Sequence, residues 1–111
     1  SVLKETRNVL VKNCDFSLRY PLWHARGFEL DNVSMDELTR AAIWYSYDGV
    51  IKNTKMNGIK ALRECEDITL TNTEVISPEF AWRSRNIKIK NVTKKPLRRG
   101  FLITIYNKTF V

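Results

Sequence analysis

Two adjacent positions of a repeated segment carry the side chains that are best suited to binding a ligand. The first, which we call the Trp column, holds Trp23, Trp44, Arg63 and Trp82. The second, which we call the mixed column, holds His24, Tyr45, Glu64 and Arg83. Stacked aromatic rings can bind a sugar ring or an aromatic ligand, and an arginine adds a cation–π contact. The two columns therefore predict binding or scaffolding along a lateral face, with carbohydrate as the expected ligand.

The same pattern has a purely structural interpretation, in which the large side chains fill the interior or stack on one another. Alternation does not decide which column faces outward, because the position before the Trp column is also apolar and holds Leu22, Ile43, Leu62 and Ala81. Arg63 within the Trp column favours at least partial exposure, since arginine is rarely buried without a partner. Both interpretations stay open from the sequence.

Catalytic chemistry is not expected within this chain. His24 is the only histidine, and a general base needs an oriented partner that the neighbouring residues do not offer. Asp48 and Asp67 occupy equivalent positions, but Asn and Gly occupy the same position in other units, so a corner role is favoured over glycosidase chemistry. Cys14 and Cys65 are too few for a disulfide framework or a zinc site. We expect reduced, buried thiols and no catalytic residue, metal or cofactor.

An internal repeat provides the elements that position the two columns. Five phrases of period-two alternation end in asparagine, with spacings of 19, 21, 19 and 19 residues, at Asn13, Asn32, Asn53, Asn72 and Asn91. Two residues before each asparagine lies an aliphatic residue: Val11, Leu30, Ile51, Leu70 and Ile89. Period-two alternation predicts strands, and a unit of this length is too short for a strand and a crossover helix. The sequence therefore predicts an all-β parallel β-helix of about five coils over residues 1–93, with equivalent residues in columns.

Each coil is expected to be roughly triangular, with three short β segments and an asparagine at one corner. Asparagine amides can bond one another from coil to coil, and asparagine tolerates the left-handed backbone of a corner. A second strand per coil is predicted at 21–25, 42–46, 61–65 and 80–84, which we call the upstream segments. A third contact is predicted three residues after the asparagine, at Phe16, Met35, Met56 and Val75. A small β-sandwich is the alternative fold.

Three phrases resemble a known family: RYPLWH at 19–24, ALREC at 61–65 and ISPEFAW at 76–82. Over about residues 5–93, the chain resembles the bacterial family of domain of unknown function 3737. The resemblance implies a right-handed parallel β-helix related in shape to pectin lyases, with no established activity. The alternative, which rests on that shape alone, is that the chain is a fragment of a carbohydrate-active lyase or glycoside hydrolase. A fold does not, however, specify a reaction.

The net charge of +7 belongs to one end of the chain. Residues 1–79 carry 10 Lys and Arg against 12 Asp and Glu, whereas residues 80–111 carry 9 Lys and Arg and no acid. A weak polyanion site is therefore predicted at Lys94, Lys95, Arg98 and Arg99, and its binding would weaken with salt. No nucleic-acid-binding motif accompanies these cations, so nucleic acid is not the expected partner.

Residues 94–111 are expected to form a basic terminal coil or cap. ITIYN at 103–107 repeats ITLTN at 68–72, which predicts a sixth, shortened coil, although Arg98 stands where the Trp column would continue. An open coil end with an apolar strand would favour a homo-oligomer. No apolar run approaches the ~20 residues that cross a bilayer. Two unpaired cysteines and the absence of a signal pattern predict a cytoplasmic protein without membrane contact.

Overall fold

The asparagine-ended phrases form strands that stack in parallel, coil upon coil. The computed structural model describes residues 3–17, 19–58, 60–77 and 80–93 in full and the backbone of 94–95 and 104–110. Its strands are β1 (Arg7–Phe16), β2 (Arg26–Met35), β3 (Tyr47–Lys52), β4 (Lys55–Asn57), β5 (Glu66–Ile76), β6 (Arg85–Lys95) and β7 (Thr104–Phe110). The order β1-β2-β3-β5-β6 is parallel throughout. This confirms the predicted all-β solenoid, whose five stacked phrases make about four turns.

The aliphatic column of the phrases forms the core on this side of the coil. Leu30 pairs with Val11 on one side and with Ile51 on the other, so equivalent residues lie directly above one another. Leu30 and Ile51 are fully buried. Glycine is required at position 49 because a Cβ there would lie 2.1 Å from Cζ of the Phe28 ring in the neighbouring coil.

The predicted asparagine corners are present in all five phrases. Their backbone is left-handed, with φ between 49° and 56°, at Asn13, Asn32, Asn53, Asn72 and Asn91. Nδ2 of Asn32 donates to Oδ1 of Asn13 at 2.7 Å, and Nδ2 of Asn91 donates to Oδ1 of Asn72 at 2.6 Å. Asn53 donates instead to Oδ1 of Asp31 at 3.0 Å. The predicted hydrogen bonding between asparagine amides is therefore confirmed for two pairs. In the middle of the stack, the asparagine bonds a carboxylate instead.

The third contact is confirmed as core at Met35, Met56 and Val75, which are fully buried, whereas Phe16 is half-buried and packs against this core. It does not form a separate β segment in every coil. β2 and β5 continue through the asparagine to reach it, whereas the third phrase is divided into β3 and β4 around Asn53. The prediction of three short segments per coil is thus wrong in this respect, because a left-handed asparagine bends the strand and interrupts it only in the third phrase.

The second predicted strand of each coil is also wrong. Apart from a parallel bridge between Ala61 and Phe80, residues 21–25, 42–46, 61–65 and 80–84 form no strand. Their backbone is left-handed at alternate positions, as at Ile43 (φ 58°) and Tyr45 (φ 59°). In this conformation Ile43 and Ser46 are buried, whereas Trp44 is half-buried and Tyr45 is exposed, so the segment lacks the strict in–out alternation of a strand. Backbone bonds still join the coils, for example from Leu62 N to Ala42 O at 2.9 Å.

The single 21-residue spacing has a local origin. Phe16 pairs with Met35, 19 residues later, whereas Arg19 pairs with Arg40, 21 residues later. Two extra residues therefore lie between Met35 and Arg40. They form a turn in which Oδ1 of Asp36 accepts from the backbone N–H of Leu38 at 2.9 Å.

The last strand does not extend the solenoid. β7 pairs antiparallel with β6, with Ile87 opposite Phe110 and Lys94 opposite Thr104, so the predicted sixth coil is wrong. The segment before β7 differs in sequence from the upstream segments, with Arg98 in the position of the Trp column. Among the described residues, no helix is long and apolar enough to cross a membrane.

Candidate functional site

The upstream segments place the Trp column on the outside of the coil. Leu22, Ile43 and Leu62 are fully buried, and the residue after each of them belongs to the Trp column. Trp23, Trp44 and Arg63 are half-buried, and Trp82 is 41% exposed. The inward position is therefore the aliphatic one, and the aromatic rings form part of the surface.

Cations lie over the rings of the Trp column. Cζ of Arg63 is 5.2 Å from the ring centroid of Trp44 and 4.6 Å from that of Trp82. Arg83 adds a second guanidinium, with Cζ 4.4 Å from the Trp82 centroid. Nζ of Lys4 lies 5.0 Å from the centroid of Trp23. Each contact stabilises the column by about 0.5–2 kcal/mol, depending on its desolvation, so the rings are partly engaged with neighbouring cations.

The mixed column joins neighbouring coils through rings and ion pairs. The rings of His24 and Tyr45 stack with centroids 5.5 Å apart. Nδ1 of His24 lies 3.8 Å from Oε1 of Glu5, and Oε1 of Glu64 lies 3.2 Å from Nε of Arg63. Desolvation, with the neighbouring Tyr45, raises the pKa of Tyr47, which lies beside this column. Eight predicted binding residues thus form one continuous lateral face with Lys4 and Glu5: Trp23, Trp44, Arg63, Trp82, His24, Tyr45, Glu64 and Arg83.

A small polar column that the sequence analysis did not single out holds the upstream segments together. Oγ of Ser46 donates to the carbonyl of Leu22 at 3.0 Å, and Oγ of Ser84 donates to that of Leu62 at 2.9 Å. Sγ of Cys65 donates to the carbonyl of Ile43 at 2.6 Å. Burial raises the pKa of the Cys65 thiol to about 12, so this cysteine is a structural donor and not a nucleophile. Cys65 is buried as predicted, whereas Cys14 is half-buried.

The carboxylates at the equivalent turn position act as corners. Asp48 and Asp67 both have left-handed backbone, with φ of 56° and 59°. Oδ1 of Asp67 also accepts a hydrogen bond from Nδ2 of Asn86. This supports the predicted corner role. Within the described residues, no three His, Cys, Asp or Glu side chains are close enough together to hold a metal ion.

Beside the Trp column, a hollow of about 350 Å³ brings together residues that the sequence analysis did not connect. Its lining is Tyr20, Arg40, Ala41, Trp44, Lys60 and Arg63. Tyr20, Ala41 and Lys60 are equivalent in successive coils, and all three are left-handed, with φ of 54°, 49° and 60°. The hollow exists because the methyl group of Ala41 lies between the long side chains of Tyr20 and Lys60. A small residue between two large ones in one column was the available sequence signal.

A second concave surface of about 590 Å³ follows the asparagine corners, on the strand side of the coil. Its amides include those of Asn13, Asn32 and Asn72, which bond one another or Asn91 as described above. Among the described residues, its lining contains no aromatic residue and no arginine. The side chains predicted for polyanion binding, Lys94, Lys95, Arg98 and Arg99, lie outside the part of the chain whose side chains the structure describes.

Comparison with known proteins identifies a family and no closer relative. The family model described as Protein of unknown function (DUF3737) matches residues 1–99. No curated protein and no solved structure is significantly similar to the chain. The family match agrees in extent with the solenoid and ends before β7.

Proposed function

The chain belongs to the family described as Protein of unknown function (DUF3737), and from that premise we propose that it is a binding module for carbohydrate. The ligand lies along the lateral face formed by the Trp column and the mixed column. The observation that carries the proposal is the exposure of aromatic side chains beside cations, with Trp82 as the most exposed ring of the Trp column, at 41%.

The chemistry of this face suits a saccharide. Indole and phenol rings pack against the C–H groups of a sugar, while guanidinium and carboxylate groups bond its hydroxyls. Arg63 and Arg83 already lie against Trp82, so polar and aromatic contacts are available within one coil spacing of each other. The columns repeat from coil to coil, and a chain of several sugar units can contact equivalent side chains in succession.

Catalysis is not part of the proposal. Asp67 holds a corner through Asn86, and the thiol of Cys65 is used between coils. The only argument for a lyase or hydrolase activity is therefore the implied resemblance in shape to pectin lyases. A binding or scaffold role follows instead from side chains that the solenoid brings together.

The proposal is tested by screening the chain against immobilised glycans, followed by titration calorimetry of the ligands that bind. Replacing Trp82 by alanine removes the most exposed ring of the Trp column, and we expect affinity to fall about five- to thirtyfold, as truncation of an aromatic contact costs about 1–2 kcal/mol. Trp23→Ala is expected to act in the same direction.

Leu10→Ala is the matched control, because Leu10 is an apolar side chain, 61% exposed, on β1 and away from the face. Circular dichroism establishes that each variant keeps the wild-type fold. Binding of no glycan by the wild type, or equal binding by Trp23→Ala, Trp82→Ala and Leu10→Ala, would contradict the proposed function.

A further inference from the structure

The hollow beside the Trp column, which we call the Ala41 hollow, has the composition of an anion site. Among the described residues, its lining includes three cations, Arg40, Lys60 and Arg63, and no acid. Arg40 is exposed, and no carboxylate among the described residues pairs with it. This contrasts with the body of the chain, where acids slightly outnumber bases. Arg63 is paired with Glu64, whereas Arg40 and Lys60 have no ion-pair partner among the described residues, so these two cations leave a local excess of positive charge.

The shape of the hollow limits the ligand to a small group. Its volume of about 350 Å³ is near the lower end of the 300–1,000 Å³ that small-molecule sites occupy. Tyr20 and Trp44 form one wall, with ring centroids 5.8 Å apart and planes inclined by 38°. Aromatic rings beside guanidinium groups suit a ring-shaped molecule that carries one acidic substituent.

We propose that the Ala41 hollow binds the carboxylate or sulfate group of an acidic sugar unit, with Arg40 and Arg63 as the main anion contacts. This inference rests on the proposed function, because it assigns the class of saccharide that the lateral face prefers. The sugar ring lies against Tyr20 and Trp44, and its acidic group reaches the arginines. The face therefore selects acidic over neutral glycans.

The test compares three oligosaccharides of equal length by titration calorimetry: one neutral, one carrying uronic acids and one carrying sulfate esters. We expect at least one acidic oligosaccharide to bind about tenfold or more tightly than the neutral one. Arg40→Gln should remove most of that preference while leaving the affinity for the neutral sugar within about twofold. Whichever acidic oligosaccharide binds more tightly identifies the preferred acidic group as carboxylate or sulfate.

Two further variants make the test specific to the hollow. Ala41→Tyr fills it with a side chain that Tyr20 already carries at the equivalent position and backbone conformation, so the fold should be kept and acidic-sugar binding should fall at least tenfold. Arg19→Gln is the charge-matched control, because Arg19 pairs with Arg40 in the neighbouring coil but does not line the hollow. It should bind as the wild type does.

The outcomes separate the two proposals. Equal affinity for neutral and acidic sugars overturns the Ala41 hollow as an anion site and leaves the proposed function standing. An equal loss of acid preference in Arg19→Gln and Arg40→Gln also overturns it, since general surface charge would then explain the preference. Failure of the wild type to bind any of the three, together with a negative glycan screen, overturns the proposed function itself.

Discussion

The two sides of each coil are joined to their neighbours by different means. On the strand side, continuous parallel pairing joins β1, β2, β3, β5 and β6, and asparagine amides bond at the corners. On the upstream side, the backbone is left-handed at alternate positions, and separate backbone bonds alternate with side-chain bonds from residues such as Ser46. The same register is therefore kept with and without a regular strand.

This difference shows where a solenoid of this kind can vary. Both sides bury aliphatic residues completely, as at Leu62 on the upstream side and Leu70 on the strand side. The outward residues of the upstream side are the large and varied ones of the Trp column. Inward packing fixes each coil, and the outward side chains are then available for a ligand.

The largest expected effect tests whether the upstream side is packed as firmly as the strand side. Leu62→Ala and Leu70→Ala each remove a fully buried side chain, and each should lower the free energy of unfolding by about 2–5 kcal/mol through lost apolar contact and the remaining cavity. Urea denaturation of the two variants measures the comparison directly. We expect the two losses to agree within about 1 kcal/mol, since the residues are equally buried and differ chiefly in backbone conformation.

Leu10→Ala serves as the control here, because its side chain is largely exposed and should change stability by less than about 0.5 kcal/mol. A Leu62→Ala variant that loses much less than Leu70→Ala would break the comparison. It would mean that the upstream side relaxes around the cavity and is held mainly by the strands.

The sequence predicted the strand side better than the upstream side for a physical reason. The corner asparagines carry their own conformational preference, and the spacing from Asn13 to Asn91 therefore located the strands, the core and the bends. In the upstream segments, Leu22 and Ile43 face inward from a left-handed backbone. Positive φ is rare for aliphatic residues such as these, so nothing in their residue type predicted this backbone.

The columns of the site were predictable, but the hollow was not recognised. Trp44, Arg63 and Trp82 fall together because equal spacing places equivalent residues in adjacent coils. Ala41 indicates a hollow only once Tyr20 and Lys60 are known to lie on either side of it. The direction of β7 likewise depends on how the chain returns to β6, which the repeated phrase at 103–107 does not encode.

A smaller effect concerns the side-chain bonds of the upstream side and appears at alkaline pH. Burial raises the pKa of the Cys65 thiol from its ordinary value of 9.0, which applies to the unfolded chain, to about 12 in the fold. Its contribution to stability is complete below pH 9 and declines as pH rises towards 12, because the unfolded chain loses that proton first. Over this window, the free energy of unfolding should fall by ~1.4 kcal/mol per pH unit more in the wild type than in Cys65→Ser.

Serine is a suitable replacement because Ser46 and Ser84 occupy the equivalent position and donate to the equivalent carbonyls. Unfolding by urea at a series of pH values between 9 and 11 measures how the free energy of unfolding changes with pH in each protein. The other titrating groups contribute equally to both slopes and cancel in their difference. A Cys65→Ser variant with the same slope as the wild type would show that the upstream side opens enough at high pH to ionise the thiol.

The smallest expected effect separates the two contributions of a corner asparagine on the strand side. Asn72 has a left-handed backbone with φ of 49°, and its Oδ1 accepts from Nδ2 of Asn91 at 2.6 Å. Asn72→Gly keeps the backbone conformation and loses the amide bond, which should cost about 0.5–1 kcal/mol for an exposed hydrogen bond. Asn72→Ala loses both and should cost about 1 kcal/mol more, because alanine is strained in this conformation. Equal stability of the two variants would assign the corner to amide bonding alone, whereas a wild-type-like Asn72→Gly would assign it to backbone conformation. In the second case the strand side, like the upstream side, would depend chiefly on residues that accept a left-handed turn.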